Sequence, residues 1–136
     1  KKNVGVIARV PLASGLLTGK FSTGSVFTAG DHRQFNRNGE KFDKGETFSG
    51  IDYETGLQAV GELKELFGEN APLAALALKW ILMFTDVSCV IPGASGEAQV
   101  KTNFDALELA PLSEAEMDGV KKIYDKYFKA TIHHWW

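Results

Sequence analysis

The stretch "VIPGASGEAQVKTN", residues 90–103, passes from a strand to a helix through Pro92, Gly93, Ala94, Ser95 and Gly96. The helix after Gly96 opens with backbone N–H groups that lack intrahelical partners, at the positive end of its dipole. Gly96 lets a ligand approach the backbone, and Ser95 either caps the helix or donates to a phosphate oxygen. Such a helix start is suited to anions. The same residues also describe an ordinary capped turn, and the stretch alone does not separate the two readings.

Working outward, "VGVIARV" (4–10) is a β-branched run closed by Pro11, and it reads as a strand buried on both faces. "PLASGLLTGKF" follows it, with Gly15 and Gly19 permitting tight backbone paths. Two strand ends rich in small residues suggest one ligand spanning both. In a closed (β/α)8 barrel, the loops after the last two strands commonly form a phosphate site.

From Phe21 to Gly50 no period is sustained, yet the phenylalanines favour a loop that packs onto something. Within it, Asp31, His32 and Arg33 read as a solvated loop tip, with a polar cluster as the alternative.

Helical spacing begins with Leu57, Val60, Leu63 and Phe67, behind Asp52 as a cap. A second helix carries Leu73, Leu76, Ala77, Trp80, Ile81 and Phe84, with Asn70 as its cap and Pro72 in its first turn. "SCVIP" (88–92) is the second strand, in which Cys89 reads as a small core residue. Residues 98–107 are helical, with Val100, Phe104 and Leu107 as the apolar side.

The last helix starts with a capping box, Ser113 and Glu116, stapled by Leu112 and Met117. Val120, Tyr124 and Phe128 continue its expected buried face. Alternating strands and helices imply an α/β fold with parallel strands. Two strands leave both sheet edges unpaired, so the pattern is missing neighbours. Lys1 is not an initiator methionine, and the chain reads as a piece of something longer.

At 136 residues, 44% of them hydrophobic, the chain can bury a core. A net charge of −2 and scattered basic residues point away from nucleic acid and anionic membranes. No apolar run approaches the roughly 18 residues that span a bilayer. The lone cysteine suggests a reducing compartment, and the cytoplasm is expected. His133 and His134 lack a third ligand for a metal, so Trp135 and Trp136 are read as packing the terminal segment against the body. No metal site is expected.

The combination "VGVIARVPLASGLLTGKF", then "ALALKWILMFTDVSCVIPGASGEAQVKTNFDAL" and "PLSEAEMDGVKKIYDK", resembles the C-terminal part of a bacterial aldo-keto reductase. The likeness extends over essentially the whole chain. It implies a partial (β/α)8 barrel, namely the last two βα units plus the C-terminal helix, with residues 1–136 an incomplete domain. It also implies carbonyl reduction with NADPH.

By this resemblance, Arg9 stands beside the nicotinamide ring, where relatives usually place an aromatic. Leu12, Ser14, Gly15 and Lys20 match the pyrophosphate stretch. Ser95, Gly96, Gln99 and Asn103 match the stretch that holds the adenosine 2′-phosphate and adenine. Ser95 and Gln99 stand where many relatives carry a cation, so NAD is an alternative to NADP.

The family's catalytic tetrad of Asp, Tyr, Lys and His has no match here, and Tyr53, Tyr124 and Tyr127 lie in or near helices. The chain alone is expected to be inactive and to bind a dinucleotide weakly or not at all. Its expected partner is the missing N-terminal barrel portion, or a second copy covering the strand edges. The alternative function is a non-catalytic nucleotide-binding or self-associating module.

Overall fold

The computed structural model describes residues 4–135, so the expectation for Trp136 lies outside the described residues. The strands form where the β-branched runs stand, at β1 (Val6–Arg9) and β2 (Val87–Ile91). They pair in parallel, with Ile7 opposite Cys89, Ala8 opposite Val90 and Arg9 opposite Ile91. The register shifts between Val6 and Ile7, and Ser88 Oγ accepts the Val6 N–H at 3.1 Å beside that irregularity.

Between the strands the chain forms a short helix α1 (His32–Phe35), then α2 (Tyr53–Phe67) and α3 (Leu73–Leu82). After β2 come α4 (Glu97–Glu108), α5 (Glu114–Tyr127) and α6 (Lys129–Ile132). Local signals account for several starts. Asp52 accepts the Thr55 N–H at 2.8 Å to open α2, and Ser113 with Glu116 forms the full capping box of α5. Asn70 does not cap α3. Pro72 occupies the cap position without a side-chain bond, since proline pre-sets φ and gives up no needed donor there.

The core lies between helices and loop. Leu16, Phe27, Phe48, Tyr53, Val60 and Leu73 form one buried cluster, and Ala75, Leu78 and Ala106 form another beneath Leu12 and Val90. α3 packs on α4 and β2, and α2 packs on α5. The last pair meets at Gly119, where a Cβ would stand 2.7 Å from a Leu66 methyl.

Segment 21–50 is ordered by its own contacts. Phe27 meets Phe21, Phe48 and Tyr53 edge-on or tilted, with centroids 5.2 to 6.2 Å away. The buried Asn36 side chain accepts the N–H groups of Lys41 and Phe42 and donates to Asp43 O and Thr47 Oγ1. One amide thereby satisfies several loop groups at once.

Three expectations of burial are overturned. β1 is not buried on both faces, since Val6 and Ile7 are exposed. Cys89 is exposed rather than a core residue. Val100, Phe104 and Leu107 do lie on α4, but they face outward, at 45%, 65% and 58% exposure. The reason is common to all three. The sheet has two strands among the described residues, and the helices close on the loop instead of on both sheet faces.

On α5 the buried residue is Ile123, with Met117, Val120 and Tyr124 half-buried around it. At the C-terminal end, the Trp135 ring lies against Gly50 but stays 49% exposed, so the packing expected of it is only partial. The His133 ring nitrogen Nδ1 meets Tyr124 Oη at 2.9 Å.

Candidate functional site

The C-terminal end of β1 runs into a tightly coiled turn. Val10, Ala13, Ser14 and Gly15 all have positive φ, at 51°, 47°, 56° and 91°. Outside glycine this conformation costs about 1–2 kcal/mol per residue, and a β-branched residue such as Val10 rarely adopts it. Bonds from Ala13 N–H to Val10 O and from Gly15 N–H to Leu12 O hold the coil at 3.0 and 2.9 Å. Stored strain of this kind is concentrated where a fold positions a ligand.

This turn and the one after β2 share a cleft of about 730 Å³. Arg9, Leu12, Ser14, Gly15, Lys20, Gln99 and Asn103 line it, so seven of the nine expected binding residues stand around one space. Ala71 to Ala74 also line it, and Thr18 and Thr102 add hydroxyls.

Ser95 and Gly96 are not among the lining residues. Nor does Ser95 cap α4, because Gly96 occupies that position in extended conformation. The Ser95 N–H and hydroxyl both donate to Gln99 Oε1, at 2.5 and 2.9 Å. Gln99 therefore uses its acceptor within the turn. Asn103 Nδ2 reaches Gly93 O at 3.4 Å and ties the helix back to the strand end.

Charge enters the cleft from three places. Lys20 is exposed at its edge. Arg33 donates to both Asp31 oxygens and to Ser14 O, and its guanidinium lies over the rings of Phe21 and Phe27 at 5.4 and 4.8 Å. Its hydrogen bonds hold the Asp31 carboxyl below its ordinary value.

Arg9 is paired with Glu46 through two N–H···O bonds of 3.0 and 2.8 Å. That pair raises the Arg9 pKa and lowers that of Glu46, chiefly through the hydrogen bonds and then through charge. Asp31, His32 and Arg33 thus form a polar cluster against the turn, which corrects the reading as a solvated tip. His32 Nε2 approaches Ser14 Oγ at 3.3 Å, and Asp31 is mostly covered.

Ser14 is the junction of loop and turn. Its hydroxyl accepts the Phe48 N–H at 3.1 Å and lies 3.4 Å from Glu46 O. Glu46 and His32 had no signal in the sequence that tied them to Arg9 or Ser14. Glu46 is 37 residues from Arg9, and no periodicity links positions so far apart.

None of the three tyrosines lines the cleft. Tyr53 Oη donates to Ser22 O and Tyr127 Oη to Glu62, at 2.9 and 2.7 Å. Tyr124 is held by His133. Among the described residues no group of three or more His, Cys, Asp or Glu side chains is arranged to hold a metal ion. No helix among them is long and apolar enough to cross a membrane.

Residues 1–125 match the family described as Aldo/keto reductase family. The chain is 33% identical to an L-glyceraldehyde 3-phosphate reductase of Escherichia coli K12 over 114 residues, which is 84% of this chain and 32% of that protein. It is 33% identical to a probable voltage-gated potassium channel subunit beta of Oryza sativa subsp. japonica, over 94% of this chain and 38% of that one. Among solved structures, the glycerol dehydrogenase AKR11B4 from Gluconobacter oxydans superposes with a TM-score of 0.69 at 26% identity. That likeness covers 93% of this chain and 36% of that one. The chain thus spans about a third of the length of the curated relatives it matches.

Proposed function

The chain belongs to the aldo/keto reductase family, and we propose that its cleft holds the phosphate and adenosine portion of a nicotinamide dinucleotide. In this reading the chain is the last two βα units and C-terminal helix of a (β/α)8 barrel. The observation that carries it is one cleft lined both by the turn after β1 and, after β2, by Gly93 with Gln99, Thr102 and Asn103 of α4.

The residues suit the group in most respects. The coiled turn from Leu12 to Gly15 lets a pyrophosphate approach the backbone, with Lys20 as the cation at the edge. Thr102 and Asn103 offer polar side chains at the adenosine end. NADP is the family's cofactor. At the adenosine end of this cleft, however, the lining is Gln99, Thr102 and Asn103 without a cation, which suits NAD as well. When bound, the dinucleotide supplies hydride to a carbonyl carbon. The chain's own residues bind and orient it, and the strained turn keeps its backbone pre-shaped.

The catalytic residues of the reaction lie outside this chain. The three tyrosine hydroxyls are engaged away from the cleft. A general acid must stand within hydrogen-bond reach of the substrate. Purified chain with NADPH and a panel of aldehydes is expected to show no oxidation, and robust turnover would overturn this assignment.

The exposed apolar residues favour a covering partner. Ile7, Ile91, Phe104 and Leu107 are all more than half exposed, on the sheet and on α4, as is Val4 just before β1. The preceding barrel units are the first occupant proposed for this surface, and a second copy of the chain is the alternative. Light scattering distinguishes them, since a clean monomer with cooperative unfolding defeats self-association. The exposed free thiol of Cys89 suits a reducing, cytoplasmic setting.

A further inference from the structure

Arg9 ends β1 at the mouth of the cleft with its side chain 66% exposed. Its guanidinium lies over no aromatic ring among the described residues. What restrains it is Glu46, which takes two of its N–H groups in a parallel fork at 3.0 and 2.8 Å. An exposed ion pair of this kind contributes little to stability, so its meaning lies in orientation.

The Glu46 main chain is not free to follow Arg9. Its N–H donates to Asp43 O at 3.1 Å, its carbonyl lies by Ser14 Oγ, and Thr47 and Phe48 beside it are fully buried. From this held main chain the Glu46 carboxylate reaches Arg9, and the two parallel bonds align the guanidinium with it.

We propose that Glu46 is a positioning residue that holds the Arg9 guanidinium as a flat, charge-neutralised plate for a planar heteroaromatic ring at the β1 end of the cleft. This rests on the dinucleotide reading above. With its fork taken by Glu46, Arg9 cannot make a second bidentate bond to an anion through the same edge, whereas its faces remain available for stacking.

Neutralisation matters because the two redox states of the ring differ in charge. The oxidised nicotinamide ring is cationic and the reduced ring is neutral. An unpaired arginine repels the former and tolerates the latter. A paired one accepts both.

The test has two arms, both on the 136-residue chain. In the first, 15N relaxation of the Arg9 Nε–H is measured in the wild type, Glu46→Gln and Glu46→Asp. Arg9 is expected to be ordered in the wild type, mobile like other exposed arginines in Glu46→Gln, and partly restored by Glu46→Asp. Unchanged order in Glu46→Gln overturns the positioning role.

In the second arm, NADP+ and NADPH are titrated to millimolar concentration. Glu46→Gln is expected to weaken NADP+ about tenfold more than NADPH. An equal loss of both, or no change in their ratio, overturns the plate. If the wild type binds neither, the dinucleotide reading fails and takes the plate with it. The positioning of Arg9 is then decided by the first arm.

Discussion

Replacing Phe48 with alanine is expected to lower the unfolding free energy by about 4 kcal/mol. The side chain has no exposed surface. Its ring stands 5.0 Å from Tyr53 and 6.2 Å from Phe27, centroid to centroid. Truncating a buried phenylalanine removes transfer energy and leaves a cavity, together about 3–5 kcal/mol. The lost ring contacts place Phe48 in the middle to upper part of that range.

No backbone relief offsets the loss, because φ at this position is +49° and alanine finds it as unfavourable as phenylalanine does. Against a total of about 5–15 kcal/mol for a domain, the change is large. Urea denaturation followed by circular dichroism should show a midpoint lower by about 2 M. Phe104→Ala is the control, since Phe104 is 65% exposed and its loss should stay within about 0.5 kcal/mol. If Phe48→Ala costs under about 1 kcal/mol, or no more than the control, segment 21–50 is not part of the core as described.

Gly15→Ala places a methyl in a left-handed backbone, φ +91°, and 3.2 Å from the Phe21 ring. It should cost about 1–2 kcal/mol and weaken dinucleotide binding, both read by denaturation with and without NADPH. Ser113→Ala removes the capping box of α5 and should cost about 1 kcal/mol, visible as a lower Tm. The Asp31 and Asp52 carboxyls are held below their ordinary values, chiefly by bonds from Arg33 and from the Thr55 N–H, respectively. Their folded-state values are depressed, so their stabilisation is complete above the ordinary carboxylate range and lost as pH falls through the lowered values. Stability measured by urea titration should be flat near neutrality and fall below about pH 4. A profile that stays flat to pH 2.5 or so would contradict these two anchors.

What the sequence revealed depended on how local the cause was. Asp52 and the Ser113–Glu116 pair act within one turn of their helices, and both caps were legible. The strands and their parallel pairing followed from β-branched runs separated by helices. Burial was harder, because it depends on what lies across space. The 3–4 spacing placed Val100, Phe104 and Leu107 correctly on one side of α4, but not which side would be covered. Cys89 and Ile7 failed for the same reason.

The site divides in the same way. At the turn after β1 the glycine signal had a backbone cause, since Gly15 has φ +91°, whereas a Cβ at Gly93 or Gly96 would meet nothing within 4 Å. The Arg9–Glu46 fork, the Ser14 junction and the stacking of Arg33 on Phe21 and Phe27 join distant segments. Only the folded loop brings them together.

Whether a dinucleotide sits in the cleft between the two turns is read residue by residue by amide chemical-shift mapping. NADPH is added to the isotope-labelled 136-residue chain at millimolar concentration. Weak, fast-exchange binding is expected, with shifts concentrated at Leu12–Lys20 and Gly93–Asn103 and spreading to Arg9 and Glu46. Shifts confined to other surfaces, or no shift at either turn, would contradict it.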